Sequence, residues 1–131
     1  ATISPNLRFT DDLLDLCASC DYITIHVPAT PKTKGMIGAD EIAAMKEGAA
    51  FLNFSRDTLI DNDAMRAGLA SGKVRRYVTD FATPEVMTME GALVLPHLGA
   101  STAEAEENCA EMAVREVMDY LETGKKVHCV N

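Results

Sequence analysis

Apolar runs alternate with amphipathic segments along this chain. Four runs rich in β-branched or aromatic residues predict strands, at residues 21–28, 49–54, 74–80 and 92–95. Polar caps followed by apolar residues at three- and four-residue steps predict helices, at residues 10–17, 40–47, 62–72 and 101–123. Strands that alternate with helices and are mostly apolar on both faces are typical of a parallel sheet covered on two sides. The pattern therefore predicts an α/β fold.

The predicted helices carry signals at their ends. Thr10 precedes the first helix as a capping residue, and a capping-box pattern opens the last one at residues 101–104. Glycines mark the carboxyl ends of three predicted helices: Gly48 follows the second, Gly72 is the last residue of the third, and Gly124 follows the fourth. A left-handed glycine commonly stops a helix.

Composition narrows the class of protein. The 131 residues carry a formal net charge of −8, which argues against a nucleic-acid partner and against docking on anionic lipid. A few local cations are still enough to bind a small anion. No apolar stretch approaches the roughly 20 residues that cross a membrane. Residues 1–6 lack the features of a signal peptide and contain no Met, so we expect the chain to be part of a longer one.

Four cysteines include Cys17 and Cys20 in a C-x-x-C spacing. Such a pair binds metal or performs redox chemistry in some proteins. Here neither a second C-x-x-C nor a neighbouring histidine accompanies it, and Cys109 and Cys129 lie far along the chain. We therefore expect reduced thiols in a cytoplasmic protein, used as small apolar residues, and no metal site.

Two candidate chemical groups follow predicted strands. His97 comes after the apolar run 92–95, and Arg56 follows the run 49–54. In a parallel α/β sheet the ligand crevice lies at the carboxyl ends of the strands. A titratable imidazole and a fixed guanidinium at two strand ends predict a site for a small anionic substrate.

Five linked segments carry a resemblance to a known family. They keep their order and spacing along the chain, and they read CDYITIHVP (20–28), TKGMI (33–37), FLNFSRDTL (51–59), KVRRYVTDF (73–81) and PHLGAST (96–102). In these segments the chain resembles the D-isomer-specific 2-hydroxyacid dehydrogenases. The resemblance implies part of a doubly wound, Rossmann-type parallel sheet, with four strands and covering helices.

The resemblance also implies which part of that fold the chain represents. Residues 1–124 correspond to the later part of an NAD-binding domain, including a long return helix at 101–123, and residues 125–131 correspond to the start of the return to a substrate domain. The eight glycines form no G-x-G-x-x-G turn for the cofactor phosphates. We therefore expect that turn and the substrate domain to lie outside this sequence.

The missing first strands lead to an expectation about assembly. In the order 3-2-1-4-5-6 the first strand is central, and we place the strands at 21–27 and 49–54 on opposite sides of it. The chain then pairs these two strands directly, borrows strands from another copy, or relies on an upstream segment. We expect self-association into a homo-oligomer, because edge strands are templates for pairing. We also expect the isolated chain to be inert and to bind NAD feebly.

The resemblance assigns catalytic roles to two residues. His97 corresponds to the acid–base histidine, which donates a proton to the keto oxygen as NADH delivers hydride and takes it back in the reverse direction. Arg56 corresponds to the arginine that grips the carboxylate of the 2-oxo acid, a task for a planar, bidentate guanidinium. The implied substrate is a D-2-hydroxy acid or its 2-oxo acid, with 3-phosphoglycerate and 3-phosphohydroxypyruvate of serine biosynthesis as the expected pair.

A third catalytic residue has alternatives. The family carries a glutamate that orients the histidine and favours its charged form. Matching the family's motif on Phe81 places Pro84 at that position, so Glu85 serves after a shift of register, or Glu90 does, or the histidine lacks this partner; we select Glu85. The family's aspartate for the nicotinamide amide corresponds to Asp80 or Thr79, and we select Asp80.

The remaining implied residues surround NAD. They are His26, Pro28 and Thr33 near the adenine side, Phe54, Ser55 and Arg56 along the nicotinamide, and Asp80, His97, Gly99 and Ala100. Small residues at 99 and 100 let the backbone approach the cofactor. A non-catalytic binding or assembly module that keeps the fold is the alternative function, and the intact Arg56 and His97 favour the enzyme.

Overall fold

The computed structural model describes residues 7–128, which fall into two compact units, one ending at Pro96 and one beginning at His97. The first unit contains α1 (Leu13–Ser19), β1 (Tyr22–Ile25), α2 (Ala39–Ala44), β2 (Ala49–Asn53), a 3₁₀ turn (Asp57–Leu59), α3 (Asn62–Ser71), β3 (Val74–Thr79), α4 (Pro84–Met87) and β4 (Ala92–Val94). The second contains α5 (Ala103–Thr123). The predicted α/β fold is confirmed, while the 3₁₀ turn and α4 were not predicted. The predicted domain boundary at residue 124 stays a prediction.

The four strands are parallel and lie side by side in the order β1-β2-β3-β4. β1 and β2 are hydrogen-bonded neighbours, with Tyr22 opposite Ala50 and Ile25 opposite Asn53. Of the three arrangements expected for these strands, the structure shows direct pairing. Consecutive parallel strands joined by one helical crossover usually lie next to each other, and α2 provides that crossover here.

The core lies on one face of the sheet. Phe51 is completely buried, and its ring centroid lies 6.3 Å from that of Tyr77 on the neighbouring strand. The helices on this face pack closely, because a Cβ added at Gly68 of α3 would lie 2.7 Å from Cγ2 of Ile42 in α2. Burial of these side chains stabilises the layer of helices on the strands.

The other face of the sheet is exposed. Tyr22 is 68% exposed and Leu93 is 49% exposed. The guanidinium of Arg75 lies 6.0 Å from the centroid of the Tyr22 ring. Within residues 7–96, the helices therefore cover this face less than the face that carries Phe51. Whether a strand residue is buried depends on what packs against it, which the residue types alone do not determine.

The helix ends differ from the predicted ones in detail. Asp12, rather than Thr10, caps α1, and its carboxylate accepts two backbone N–H groups of the first turn. Aspartate is among the strongest capping residues, so the cap moves to it. α2 ends at Ala44, and Gly48, with a φ of 71°, lies in the turn before β2 instead of at the helix end. α3 ends with Gly72 in the left-handed region, as predicted.

α5 makes up most of the second unit. The hydroxyl of Thr102 caps it by accepting the N–H of Ala105 at 3.1 Å, and Gly124 ends it with a φ of 70°. The predicted capping box is wrong by one residue, because the residue three after the cap is alanine and cannot bond back to the cap. No residue of α5 is buried, and Leu121 is 76% exposed. None of the helices within residues 7–128 is long and apolar enough to cross a membrane.

Candidate functional site

The strands end in one row at the carboxyl edge of the sheet. Ile25, Asn53, Thr79 and Val94 are paired in register. The segments that follow the first three strands therefore leave the sheet side by side. These segments contain the predicted site residues of the first unit, which are His26, Pro28, Thr33, Phe54, Ser55, Arg56, Asp80 and Glu85.

Hydrogen bonds of the Thr33 hydroxyl hold the loop that follows β1. The Thr33 hydroxyl donates to the carbonyl oxygen of Pro28 at 2.7 Å and accepts the N–H of Thr30 at 2.8 Å. His26 is exposed, and its Nε2 lies 2.9 Å from the hydroxyl of Thr24. A hydroxyl that bonds to its own loop holds the backbone in a turn. Thr33 thus shapes the loop that presents His26 and Pro28.

A buried asparagine organises the turn after β2. Asn53 is completely buried, its side-chain nitrogen donates to the carbonyl oxygen of Arg56 at 2.8 Å, and its side-chain oxygen accepts the N–H of Ser55 at 3.1 Å. The hydroxyl of Ser55 donates to the carbonyl oxygen of Val27 at 2.7 Å, which ties the turn to the end of β1. Sequence analysis missed Asn53. The available signal was a polar residue at the last position of an apolar strand, which needs hydrogen-bond partners if it is buried.

Arg56 leaves this turn with an exposed side chain. Its Nη1 donates to the carbonyl oxygen of Ser55 at 2.6 Å, and the residue stands at the N-terminus of the 3₁₀ turn. A guanidinium carries five N–H donors in a planar fork. The group can therefore keep this backbone contact and still bind a carboxylate through two other N–H groups.

Side chains of β3 add further buried hydrogen bonds near Asn53. Thr79 is completely buried and its hydroxyl accepts the N–H of Phe81 at 3.2 Å. The phenol oxygen of Tyr77 lies 3.4 Å from the side-chain nitrogen of Asn53. Burial raises the pKa of Tyr77, and hydrogen bonds with Asn53 and Thr79 oppose this shift. Asp80, the proposed nicotinamide ligand, follows at the edge and is half-buried.

The two candidate carboxylates lie in different settings. Glu85 stands in the first turn of α4 and lines a cleft of about 450 Å³, together with Lys34 and Asp57. Arg66 holds this turn by donating from Nη2 to the backbone oxygen of Glu85 at 3.0 Å. Glu90 is exposed beyond the end of α4. Glu85 is itself exposed, and which carboxylate acts with the histidine stays a prediction.

His97 begins the second unit and is described there by itself. Residues 97–100 are exposed, and the N–H of Ser101 donates to the carbonyl oxygen of Leu98 at 3.1 Å just before α5. A Cβ added at Gly99 would meet no atom within 4 Å in this structure. The catalytic role of His97 and the close approach of Gly99 and Ala100 to the cofactor stay predictions.

The carboxyl edge fits part of a dinucleotide. Dinucleotides bind in the crevice outside the carboxyl ends of parallel strands. Here that edge offers loops held by internal hydroxyl bonds, the partly exposed ring of Phe54 and the guanidinium of Arg56. The glycine-rich turn for the phosphates is not among the 131 residues. The residues present thus fit parts of NAD other than its phosphates.

The described cysteines are free thiols, Cys17, Cys20 and Cys109. Cys17 is completely buried, and burial raises the pKa of its thiol, so it packs as a small apolar group. Cys129 lies outside the described residues. Between residues 7 and 128, no group of three or more His, Cys, Asp or Glu side chains is placed to hold a metal ion.

A parallel α/β sheet with ligand-binding loops at its carboxyl edge is typical of a nucleotide-binding domain. The family model described as "D-isomer specific 2-hydroxyacid dehydrogenase, NAD binding domain" matches residues 3–99. The chain belongs to this family, and NAD is the cofactor of its domain. The resemblance, the fold class and the cofactor predicted from the sequence are thereby confirmed.

Curated relatives and solved structures match most of the chain. It is 36% identical over 124 residues to D-3-phosphoglycerate dehydrogenase of Methanocaldococcus jannaschii, covering 90% of this chain and 24% of the relative. It is 33% identical over 133 residues to glyoxylate/hydroxypyruvate reductase B of Cronobacter sakazakii, covering 96% and 41%. A D-isomer specific 2-hydroxyacid dehydrogenase from Xanthobacter autotrophicus, solved with NADPH and MES, has 29% identity and a TM-score of 0.71, covering 88% and 50%. The chain therefore spans half or less of the length of these proteins.

Proposed function

We propose that this chain is the later part of the NAD-binding domain of an oxidoreductase that transfers a hydride between NAD(H) and a D-2-hydroxy acid or its 2-oxo acid. The observation that carries the proposal is the turn after β2. It presents the exposed Arg56 at the carboxyl edge and is tied to the end of β1 through Ser55 and Val27. A fixed cation in this place suits a small organic acid next to the cofactor.

The chemistry divides between the cofactor and the side chains. The nicotinamide, when bound, supplies or accepts the hydride. Arg56 binds the substrate carboxylate through two N–H groups and orients the carbonyl. His97 donates a proton to the carbonyl oxygen in reduction and accepts the hydroxyl proton in oxidation. Hydride added to carbon and a proton added to oxygen together convert the 2-oxo acid into the hydroxy acid. Glu85 orients His97 and favours its protonated form.

The remaining proposed contacts hold NAD. His26, Pro28 and Thr33 lie on the adenine side in this proposal, and Phe54, Ser55, Arg56, Asp80, His97, Gly99 and Ala100 lie along the nicotinamide. The strand register supports the first-unit part of this set, because it places the segments after β1, β2 and β3 at one edge.

For the substrate we propose 3-phosphoglycerate and 3-phosphohydroxypyruvate, in serine biosynthesis in the cytoplasm. Similarity to D-3-phosphoglycerate dehydrogenase of Methanocaldococcus jannaschii supports this choice. Similarity to glyoxylate/hydroxypyruvate reductase B makes hydroxypyruvate and glyoxylate the competing substrates. We also propose that the isolated chain self-associates into a homo-oligomer, since β1 is an edge strand of the described sheet and unpaired edges favour association.

Turnover by the full-length protein that contains this chain tests the function. NADH oxidation is followed with 3-phosphohydroxypyruvate, hydroxypyruvate and glyoxylate as substrates. We expect the highest kcat/KM with 3-phosphohydroxypyruvate. A preference for one of the other acids would change the substrate alone. Absence of turnover with all three, in protein that binds NADH, would contradict the enzyme and support a binding module.

Substitution of Arg56→Lys tests the substrate anchor. We expect KM for the 2-oxo acid to rise and kcat/KM to fall by about 10- to 100-fold, because an ammonium cannot form the paired contact. Arg75→Lys on the exposed sheet face is the matched control and should leave both constants unchanged. Equal kcat/KM in the Arg56→Lys variant and the wild type would show that Arg56 does not bind the substrate.

A further inference from the structure

The turn that presents Arg56 is built on a side chain that cannot itself reach a ligand. We propose that Asn53 is a positioning residue, whose buried carboxamide sets the backbone from which Arg56 binds the substrate carboxylate. Asn53 is completely buried at the end of β2. The proposal rests on the substrate role proposed above for Arg56.

Both polar atoms of the Asn53 carboxamide form hydrogen bonds with the backbone of the turn. Its oxygen accepts the N–H of Ser55 at 3.1 Å, and its nitrogen donates to the carbonyl oxygen of Arg56 at 2.8 Å. These two bonds hold the backbone on either side of the peptide that joins Ser55 to Arg56. The same nitrogen lies 3.4 Å from the phenol oxygen of Tyr77, which links the turn to β3.

Only a short side chain with a donor and an acceptor satisfies this position. An aspartate at residue 53 would keep the acceptor for the Ser55 N–H, but its carboxylate would face the carbonyl oxygen of Arg56 without a proton to share. A glutamine would add a methylene group at a completely buried position, and overpacking distorts a buried site. An apolar residue would leave both backbone groups of the turn without this partner.

The position of the guanidinium follows from the backbone that Asn53 holds. The hydroxyl of Ser55 ties the turn to Val27, and Nη1 of Arg56 bonds to the carbonyl oxygen of Ser55. When the Arg56 carbonyl loses its donor, both anchors move with the turn. A misplacement of about 1 Å at a binding group can cost about 100-fold in rate. Asn53 does not touch the substrate and therefore acts on it through Arg56.

Steady-state kinetics of Asn53→Asp in the full-length protein test this role. We expect KM for the 2-oxo acid to rise and kcat/KM to fall by about 10- to 100-fold. The Kd for NADH should change less, because most of the proposed NAD contacts lie outside this turn. A folded Asn53→Asp variant with the KM and kcat/KM of the wild type would overturn the proposal. Loss of 2-oxo acid and NADH binding in equal measure would also overturn it, because that result indicates a general loss of structure.

The pH dependence of the same variant provides a chemical rescue. A protonated aspartic acid can donate to the Arg56 carbonyl and still accept the N–H of Ser55, as asparagine does. We therefore expect the ratio of wild-type to Asn53→Asp kcat/KM to shrink as the pH falls. A purely steric effect predicts a ratio that is independent of pH, and that result would count against the hydrogen bond.

Two further measurements separate this proposal from the proposed function and from simple destabilisation. Val74→Ala creates a cavity in the core at the other end of β3, and it should lower the melting temperature without raising KM.

Hydrogen exchange at the Ser55 amide needs no activity, and we expect it to be slow in the wild type and fast in Asn53→Ala. If the wild type reduces no 2-oxo acid, the proposed function fails, and equal exchange in both proteins would show that the turn does not depend on Asn53.

Discussion

The turn that carries Arg56 and the segment that carries His97 are held in different ways. The first is built on the fully buried Asn53 and is tied through Ser55 to the segment that follows β1. The second, residues 97–102, is exposed and leads into a helix in which no residue is buried. Each belongs to its own compact unit.

This difference indicates that stability and proposed chemistry are distributed unequally. A group fixed by a buried hydrogen-bond cluster keeps its geometry because moving it would disrupt the core. A group on an exposed segment contributes little to the core, so its substitution should affect function alone. The proposed substrate anchor belongs to the first kind and the proposed proton donor to the second.

The largest expected effect is the loss of the proton donor. His97→Ala in the full-length protein should lower kcat by about 10²- to 10⁴-fold, because a positioned acid is removed. NADH should still bind through the other proposed contacts, and the free energy of unfolding should change little, since the residue is exposed. Activity within about threefold of the wild type would remove His97 from the proposed mechanism. A large loss of stability would contradict the comparison between the two segments.

Truncation of the core beneath the Arg56 turn should affect stability instead. Phe51→Ala removes a completely buried ring and should lower the free energy of unfolding by about 3–5 kcal/mol. Leu121→Ala in α5 is the matched control, because that side chain is 76% exposed and should change stability by less than about 0.5 kcal/mol. Denaturant unfolding measures both, and equal losses would show that α5 is as well packed as the sheet.

The choice between two carboxylates gives a smaller effect. If Glu85 favours protonated His97, Glu85→Gln should move the alkaline limb of the rate of 2-oxo acid reduction to lower pH, because the protonated acid is then lost earlier. Glu90→Gln should leave that limb in place. The pH–rate profiles of the two variants decide the matter, and a shift in the Glu90 variant alone would reverse the assignment.

The smallest expected effect concerns alkaline stability. Burial raises the pKa of Tyr77 above its ordinary value, so the folded state holds this proton more tightly than the unfolded state. The resulting stability is complete below about pH 10 and is lost as the pH rises through the folded pKa. Tyr77→Phe should therefore weaken the decline in unfolding free energy at alkaline pH. The same slope in both proteins would indicate that other groups cause the decline.

The sequence predicted much of the fold because its elements are encoded locally. Strand positions 49–54 and 74–80 and the long helix at 101–123 follow from side-chain types and spacing, and the structure places β2, β3 and α5 within those ranges. Short elements such as α4 and the 3₁₀ turn have too few residues to form a periodic pattern. The caps of α1 and α5 moved by one or two residues because neighbouring Ser, Thr and Asp side chains compete for the same backbone groups.

By itself, the sequence determined the α/β class, the family and the residues that stand at the strand ends, since these depend on residue types and their order. Tertiary structure decided that β1 lies directly beside β2, that Tyr22 is exposed while Phe51 is buried, and that Asn53 holds the Arg56 turn. These properties depend on which strand, helix or loop lies against each residue. Residues distant in the sequence supply those neighbours, so they follow only from the folded chain.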